Sequence, residues 1–175
     1  MSVTRSDSFG QTWTRLTEWL AVMAPESLAA VRPAVARQGI PQELGELYAH
    51  CDGSLPTEAG RFLVSGCGLL GLDEAMALRA RLASLVDGPD VETDWWRLDW
   101  VPWAANHDGA SCLFVDIGTG PGRGSIGYFF QESGGEEQLW PSITAFLEAF
   151  AHAVEEGTPF FGETPIVHGG ALGWD

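Results

Sequence analysis

Trp13, Leu16, Leu20 and Met23 recur at helical spacing, which predicts an amphipathic helix over residues 12–23. It ends before Pro25. That proline suits the first turn of a second helix, whose stripe continues through Leu28, Val31 and Val35, with Pro33 bending or dividing it and Gly39 closing it. Pro41 opens a third helix with Leu44, Leu47, Tyr48 and Cys51 on one face and a stop at Asp52-Gly53. Arg61 to Val64 is a brief strand candidate. The apolar run Leu69 to Leu72 then leads to Asp73, the expected N-cap of a helix carrying Met76, Leu78, Leu82 and Leu85. Asp87-Gly88-Pro89-Asp90 ends it, and the acidic stretch to Asp94 reads as an exposed loop.

Trp100 to Trp103, Cys112 to Ile117 and Ser125 to Phe130 give the strongest strand signals, separated by turn residues at Asp108-Gly109 and Gly118 to Gly124. Consecutive antiparallel strands follow. Ser142 can cap a last helix with the stripe Ile143, Phe146, Leu147, Phe150 and Val154. The expected fold class is α+β: an antiparallel, meander-like sheet flanked by N-terminal and C-terminal helices. Residues 1–11 are expected to be loosely ordered, 12–156 to form one domain, and 157–175, which lack periodicity, to form a tail.

Composition narrows the chemistry. Twenty-four Asp and Glu against nine basic residues give a formal charge of -15, so nucleic acid and anionic membranes are poor partners and a basic protein is the natural one. Every basic residue is Arg, which excludes Schiff-base and phosphate-loop lysines. With no secretory signal or membrane-length apolar run, the expected location is the cytoplasm. Cys51, Cys67 and Cys112 are odd in number and form no C-x-x-C pair, which suits free thiols in a reducing compartment.

Gly122 to Gly127 matches G-x-G-x-x-G, but the fingerprint needs a helix after it, and Tyr128-Phe129-Phe130 reads as strand. A hairpin explains the glycines. Cys51 or Cys112 with His50 or His107 supply the residue types of a thiol hydrolase, yet the cysteines fall on apolar stripes and no His or Cys has a partner at metal-ligand spacing. No catalytic residue, metal site or cofactor is therefore assigned. The densest feature is Asp94 to Trp103, with four Trp in ten residues. Alternation would send Trp96, Leu98 and Trp100 to one side and Trp95, Arg97 and Asp99 to the other, leaving core packing and an Arg-binding interface both open.

The order of these pieces resembles the SMI1/KNR4 family of the SUKH superfamily. The resemblance runs through Trp13-Thr14-Arg15-Leu16, Ile40 to Tyr48, Cys51-Asp52-Gly53, Leu69 to Glu74, and Trp100-Val101-Pro102-Trp103 with Asp108-Gly109 and Cys112 to Asp116. It implies an α+β fold without a known catalytic site. Bacterial relatives resemble immunity proteins that neutralise toxins, many of them nucleases, and a fungal branch resembles regulators of cell-wall synthesis. Two departures are Cys51 before Asp-Gly and the Arg-Gly-rich hairpin followed by the acidic Glu132 to Glu137 stretch, read as a loop. Asp94, Trp95, Asp99, Glu132, Glu136 and Glu137 are the candidate contacts for a basic protein, such as a toxin domain of the nuclease kind. Trp13, Asp52, Gly53, Trp100, Pro102 and Asp116 are expected to hold the fold. An intracellular scaffold or regulator is the alternative, and a Cys/His-dependent hydrolase a third.

Overall fold

A computed structural model describes residues 7–86 and 95–175, so Asp94 and the acidic stretch before it lie outside the described residues. Helix α1 (Phe9–Met23) starts earlier than its apolar stripe suggests, because Ser8 forms a capping box. Ser8 Oγ accepts the Gln11 N–H at 3.3 Å, and Gln11 Oε1 accepts the Ser8 N–H at 2.8 Å. Helix α2 (Pro25–Ala30) places its proline in the first turn, as expected. The stripe through Val31 and Val35 is not helical. The Pro33 ring disfavours helical geometry at Arg32, and Val31–Pro33 becomes strand β1, paired with β2 (Cys51–Ser54).

The third helix is likewise shorter than its stripe. A 3₁₀ turn (Gln42–Leu44) leads into α3 (Gly45–His50), and Cys51 turns extended at the start of β2. Asp52-Gly53 thus belongs to a strand. Gly53 sits at φ 81°, and a Cβ there would collide with the Gly71 nitrogen and the Arg32 guanidinium, so it permits a close approach of two chain segments. Arg61 to Val64 is no strand either: Leu63 makes a single bridge to Cys67 around the turn Val64–Gly66.

Strand β3 (Gly68–Leu69) precedes α4 (Leu72–Val86), and then come β4 (Trp100–Ala105), β5 (Ser111–Asp116), β6 (Ile126–Phe130) and β7 (Gly134–Trp140). They form one antiparallel sheet in the order β3-β4-β5-β6-β7. The expected meander is present, extended at both edges. The acidic segment read as a loop is strand from Gly134 onward; its sequence lacks apolar alternation because β7 is an edge strand with Glu136, Glu137 and Gln138 exposed. Ser142 Oγ accepts the Ala145 N–H at 3.1 Å and caps α5 (Ile143–Glu156). Beyond it, β8 (Pro165–His168) and β9 (Ala171–Trp174) form a hairpin pinned to the core by buried Leu172 and by the Trp174 indole, which donates to the Phe62 carbonyl at 2.8 Å.

The sheet is covered on both faces. Val101, Trp103, Leu113, Val115 and Ile126 pack with α1 and α5, and Trp103 meets Phe146 edge-on at 5.1 Å. Trp100, Cys112, Phe114 and Phe129 pack on the other face with Leu78 and Leu82 of α4 and with Trp96. There Trp100 stacks on Phe114 at 4.1 Å and 18°. Phe114 lies over Gly127 of the neighbouring strand β6, and the Trp100 ring reaches Gly135 of β7, where any Cβ would run into them. Pro102 is buried and supports the same strand. Trp13, expected to anchor the core, is only half-buried, stacked on Phe9 and tilted against the His50 ring.

Gly135→Ala should therefore cost about 1–3 kcal/mol in urea unfolding, from overpacking against Trp100. Gly120→Ala, with nothing within 4 Å of its added methyl, should be near neutral; equal effects would contradict this packing.

Candidate functional site

Residues 95–99 lead into β4 as bends and turns rather than as strand. Strict alternation therefore fails there. Trp96 and Trp100 are buried as expected, meeting edge-on at 5.3 Å, whereas Leu98 is 64% exposed instead of sharing their side. Trp95 is half-buried, edge-on to Phe129 at 4.9 Å, with its indole N–H donating to the Gln131 carbonyl at 2.7 Å. Arg97 reaches Glu137 at 2.9 Å. These contacts lay the segment along the β6–β7 hairpin.

Trp95, Glu132, Glu136 and Glu137 lie around the β6–β7 hairpin, and Asp99 stands apart from them. Trp95 and exposed Glu132 stand by the β6–β7 turn, and Glu136 and Glu137 lie on β7 itself. Asp99 is exposed at the opposite end of the sheet, near Asp116: a Cβ on Gly118 would lie 2.9 Å from Asp99 Oδ2 and 3.0 Å from Asp116 Oδ1. Asp116 Oδ1 accepts the Gly118 N–H at 2.7 Å and turns the chain after β5. Gly135 faces the Trp100 ring, so alternation puts Glu136 on the Tyr128 face and Glu137 on the Arg97 face.

Placement of the arginines decides how much of this negative charge stays uncompensated. Arg15, Arg32, Arg37, Arg97 and Arg123 pair with Asp7 and Glu155, Glu74, Asp52 and Asp73, Glu137, and Glu43 respectively. Arg61, Arg79 and Arg81 donate to backbone carbonyls. Every described arginine is thus engaged within the fold. Of the described candidates, Asp99, Glu132 and Glu136 are in no ion pair, as are exposed carboxylates elsewhere on the surface such as Glu18, Glu26 and Glu58.

Asp52 has a structural role that sequence spacing misassigned to its neighbour. Asp73 is not the N-cap of α4; its exposed carboxylate pairs with Arg37 at 2.8 Å. Instead Asp52 Oδ1 accepts the Leu72 N–H at 3.2 Å, and Glu74 Oε2 accepts the Gly71 N–H at 2.7 Å. Burial acts to raise the Asp52 pKa, but the Leu72 N–H and the Arg37 guanidinium outweigh it and hold it below the ordinary carboxylate value. A remote cap leaves no local sequence signature.

The thiols are walled off. Cys51, Cys67 and Cys112 are buried and free, and burial pushes Cys51 up to about 11, Cys67 up to about 12, and Cys112 well above its ordinary value. Such thiols stay protonated near neutrality and are poor nucleophiles. His50 packs against Phe9 with Nδ1 2.7 Å from the Glu46 carbonyl, and His107 is exposed in the β4–β5 turn. Among the described residues no group of three or more His, Cys, Asp or Glu side chains could hold a metal ion, and no helix is long and apolar enough to cross a membrane. The glycines of Gly122 to Gly127 lead into β6, not a helix.

A model of the SMI1 / KNR4 family (SUKH-1) matches residues 29–149, more than half of the sequence, and the chain belongs to that family. The matched stretch spans Asp52-Gly53, α4 and the sheet from β3 to β7; α1 and the β8–β9 hairpin lie outside it but pack on the same core. No curated protein matches the chain.

Two outcomes test this arrangement. All three thiols should resist an aromatic disulfide reagent in the native protein and react on unfolding; fast labelling of any of them before unfolding would contradict their burial. Asp52→Ala should cost about 1–2 kcal/mol near neutral pH from the lost cap and ion pair. Because the folded pKa is lowered, that contribution is present above the unfolded value of about 4 and disappears as pH falls through the folded value. Wild type and variant should converge in acid; a gap constant with pH would contradict it.

Proposed function

We propose that this chain is a non-enzymatic binding module, an immunity protein that neutralises a basic partner toxin in the cytoplasm by covering it with an acidic surface. One observation carries the reading: the described arginines are all engaged internally, while carboxylates at Asp99, Glu132 and Glu136 face solvent without a cation. A nuclease cleft is basic because it must hold phosphate, and a carboxylate-rich surface can occupy it in phosphate's place. Trp95, half-exposed beside Arg97 and Glu137, supplies an aromatic anchor of the kind that dominates interface energies. Occlusion needs no turnover, which fits the buried, protonated thiols.

Affinity capture from the native cell tests this. The captured protein should be basic, and Glu132→Gln/Glu136→Gln/Glu137→Gln should reduce its retention by about tenfold or more. An acidic or neutral partner retained equally by the triple variant would contradict the reading. Expressed alone, the partner should arrest growth, and co-expression with this chain should restore it. A partner harmless by itself would instead favour the scaffold or regulator.

A further inference from the structure

Resting on that reading, we propose that the outer edge of β7 accepts one extended strand of the basic partner by main-chain pairing, with arginines of that strand falling on Glu136, Glu137 and an aromatic shelf of Tyr128, Trp140 and Phe161.

The first ground is topology. β7 is the last strand of the five-stranded sheet, so backbone N–H and C=O groups line its far side, and among the described residues none pairs with them. Such a row is a template for another strand. The opposite edge offers little, since β3 has only two residues. β8 begins at a proline and carries no carboxylate, so charge gives no reason to prefer it.

The second ground is charge. Glu136 and Glu137 project to opposite faces of the edge, so an added strand meets a carboxylate whichever way its side chains alternate. Like charges directly opposite one another across a strand pair are destabilising. A second copy of this chain, at a formal charge of -15, would bring its own Glu136 and Glu137 against them. The edge therefore repels itself and favours a cationic strand. Arg97 already pairs with Glu137, about half exposed at 51% and 37%; exposed pairs of this kind contribute little, so an incoming arginine can displace it, whereas Glu136 has no such partner to displace.

The third ground is the surface beside Glu136. Phe161 lies 5.1 Å from the Tyr128 ring and 5.7 Å from the Trp140 ring, and it remains 36% exposed. Guanidinium groups stack on such faces. Phe161 and Gln138 both hold left-handed backbone, at φ 51° and 56°. In Gln138 this coincides with the register irregularity of the β6–β7 pair. The regular register of this edge runs from Gly134 through Glu136, with Glu137 at the start of the irregularity.

The test uses the full chain and two synthetic peptides alternating arginine with valine, identical in charge, one of them N-methylated at alternate amides so that it cannot pair as a strand. At low ionic strength the unmodified peptide should shift and protect the Gly134–Glu137 amides in nuclear magnetic resonance and hydrogen-exchange spectra. The N-methylated peptide should bind at least about tenfold more weakly, as should the unmodified peptide to Glu136→Gln/Glu137→Gln. Equal affinity for both peptides, protection elsewhere on the molecule, or no binding of either would overturn strand addition. None of these outcomes touches capture of a basic partner by the acidic surface, so the two failures are read separately.

Discussion

With twenty-four carboxylates, nine arginines and no lysine, the chain cannot neutralise its own surface, and the placement of its few cations decides what surface remains. The described arginines work as internal clasps. Arg15 ties α1 to α5 through Glu155, Arg37 ties the chain after β1 to Asp52 and to the start of α4, and Arg123 ties the β5–β6 loop to Glu43. Exposed pairs contribute little stability individually, so their consequence is chiefly geometric. Cations tied up in pairs and carbonyl contacts of this chain leave the unpaired carboxylates to dominate the outward field.

That imbalance opposes compactness, and the two aromatic cores offset it. On the α4 face, Trp96, Trp100, Phe114 and Phe129 form a continuous layer, and the missing side chains of Gly127 and Gly135 let the rings cross from strand to strand. The same layer positions the acidic edge. Trp100 lies against Gly135 of β7, and Trp95 holds the β6–β7 turn through the Gln131 carbonyl. Core packing and surface chemistry in the Trp-rich segment are thus not alternatives: its inner indoles fix the height at which the outer residues are displayed.

Much of this architecture was legible in the sequence, because periodicity reports burial. The α5 stripe, the β4–β5–β6 meander and the Ser142 cap all follow from residues whose environment is set locally. What escaped was set by distant partners or by exposure. Val31 and Cys51 continue helical stripes yet lie in strands, because Pro33 and the β1–β2 pairing override a short-range pattern. β7 carries no alternation to detect, being an exposed edge. Asp52 caps α4 from twenty residues away, and Trp174, in a stretch with no periodicity, is drawn to the core by a bond to Phe62. At the candidate site, the residue types were readable, but the gathering of Trp95, Glu132, Glu136 and Glu137 around the β6–β7 hairpin, the separation of Asp99 from them and the engagement of Arg97 required the fold.

If uncompensated carboxylates bring a basic partner to this surface, the association rate constant of the purified complex, followed as salt is raised, will show it. Long-range attraction acts on encounter, so the association rate should fall steeply as ionic strength increases, with dissociation changing much less. An association rate indifferent to salt would contradict the account.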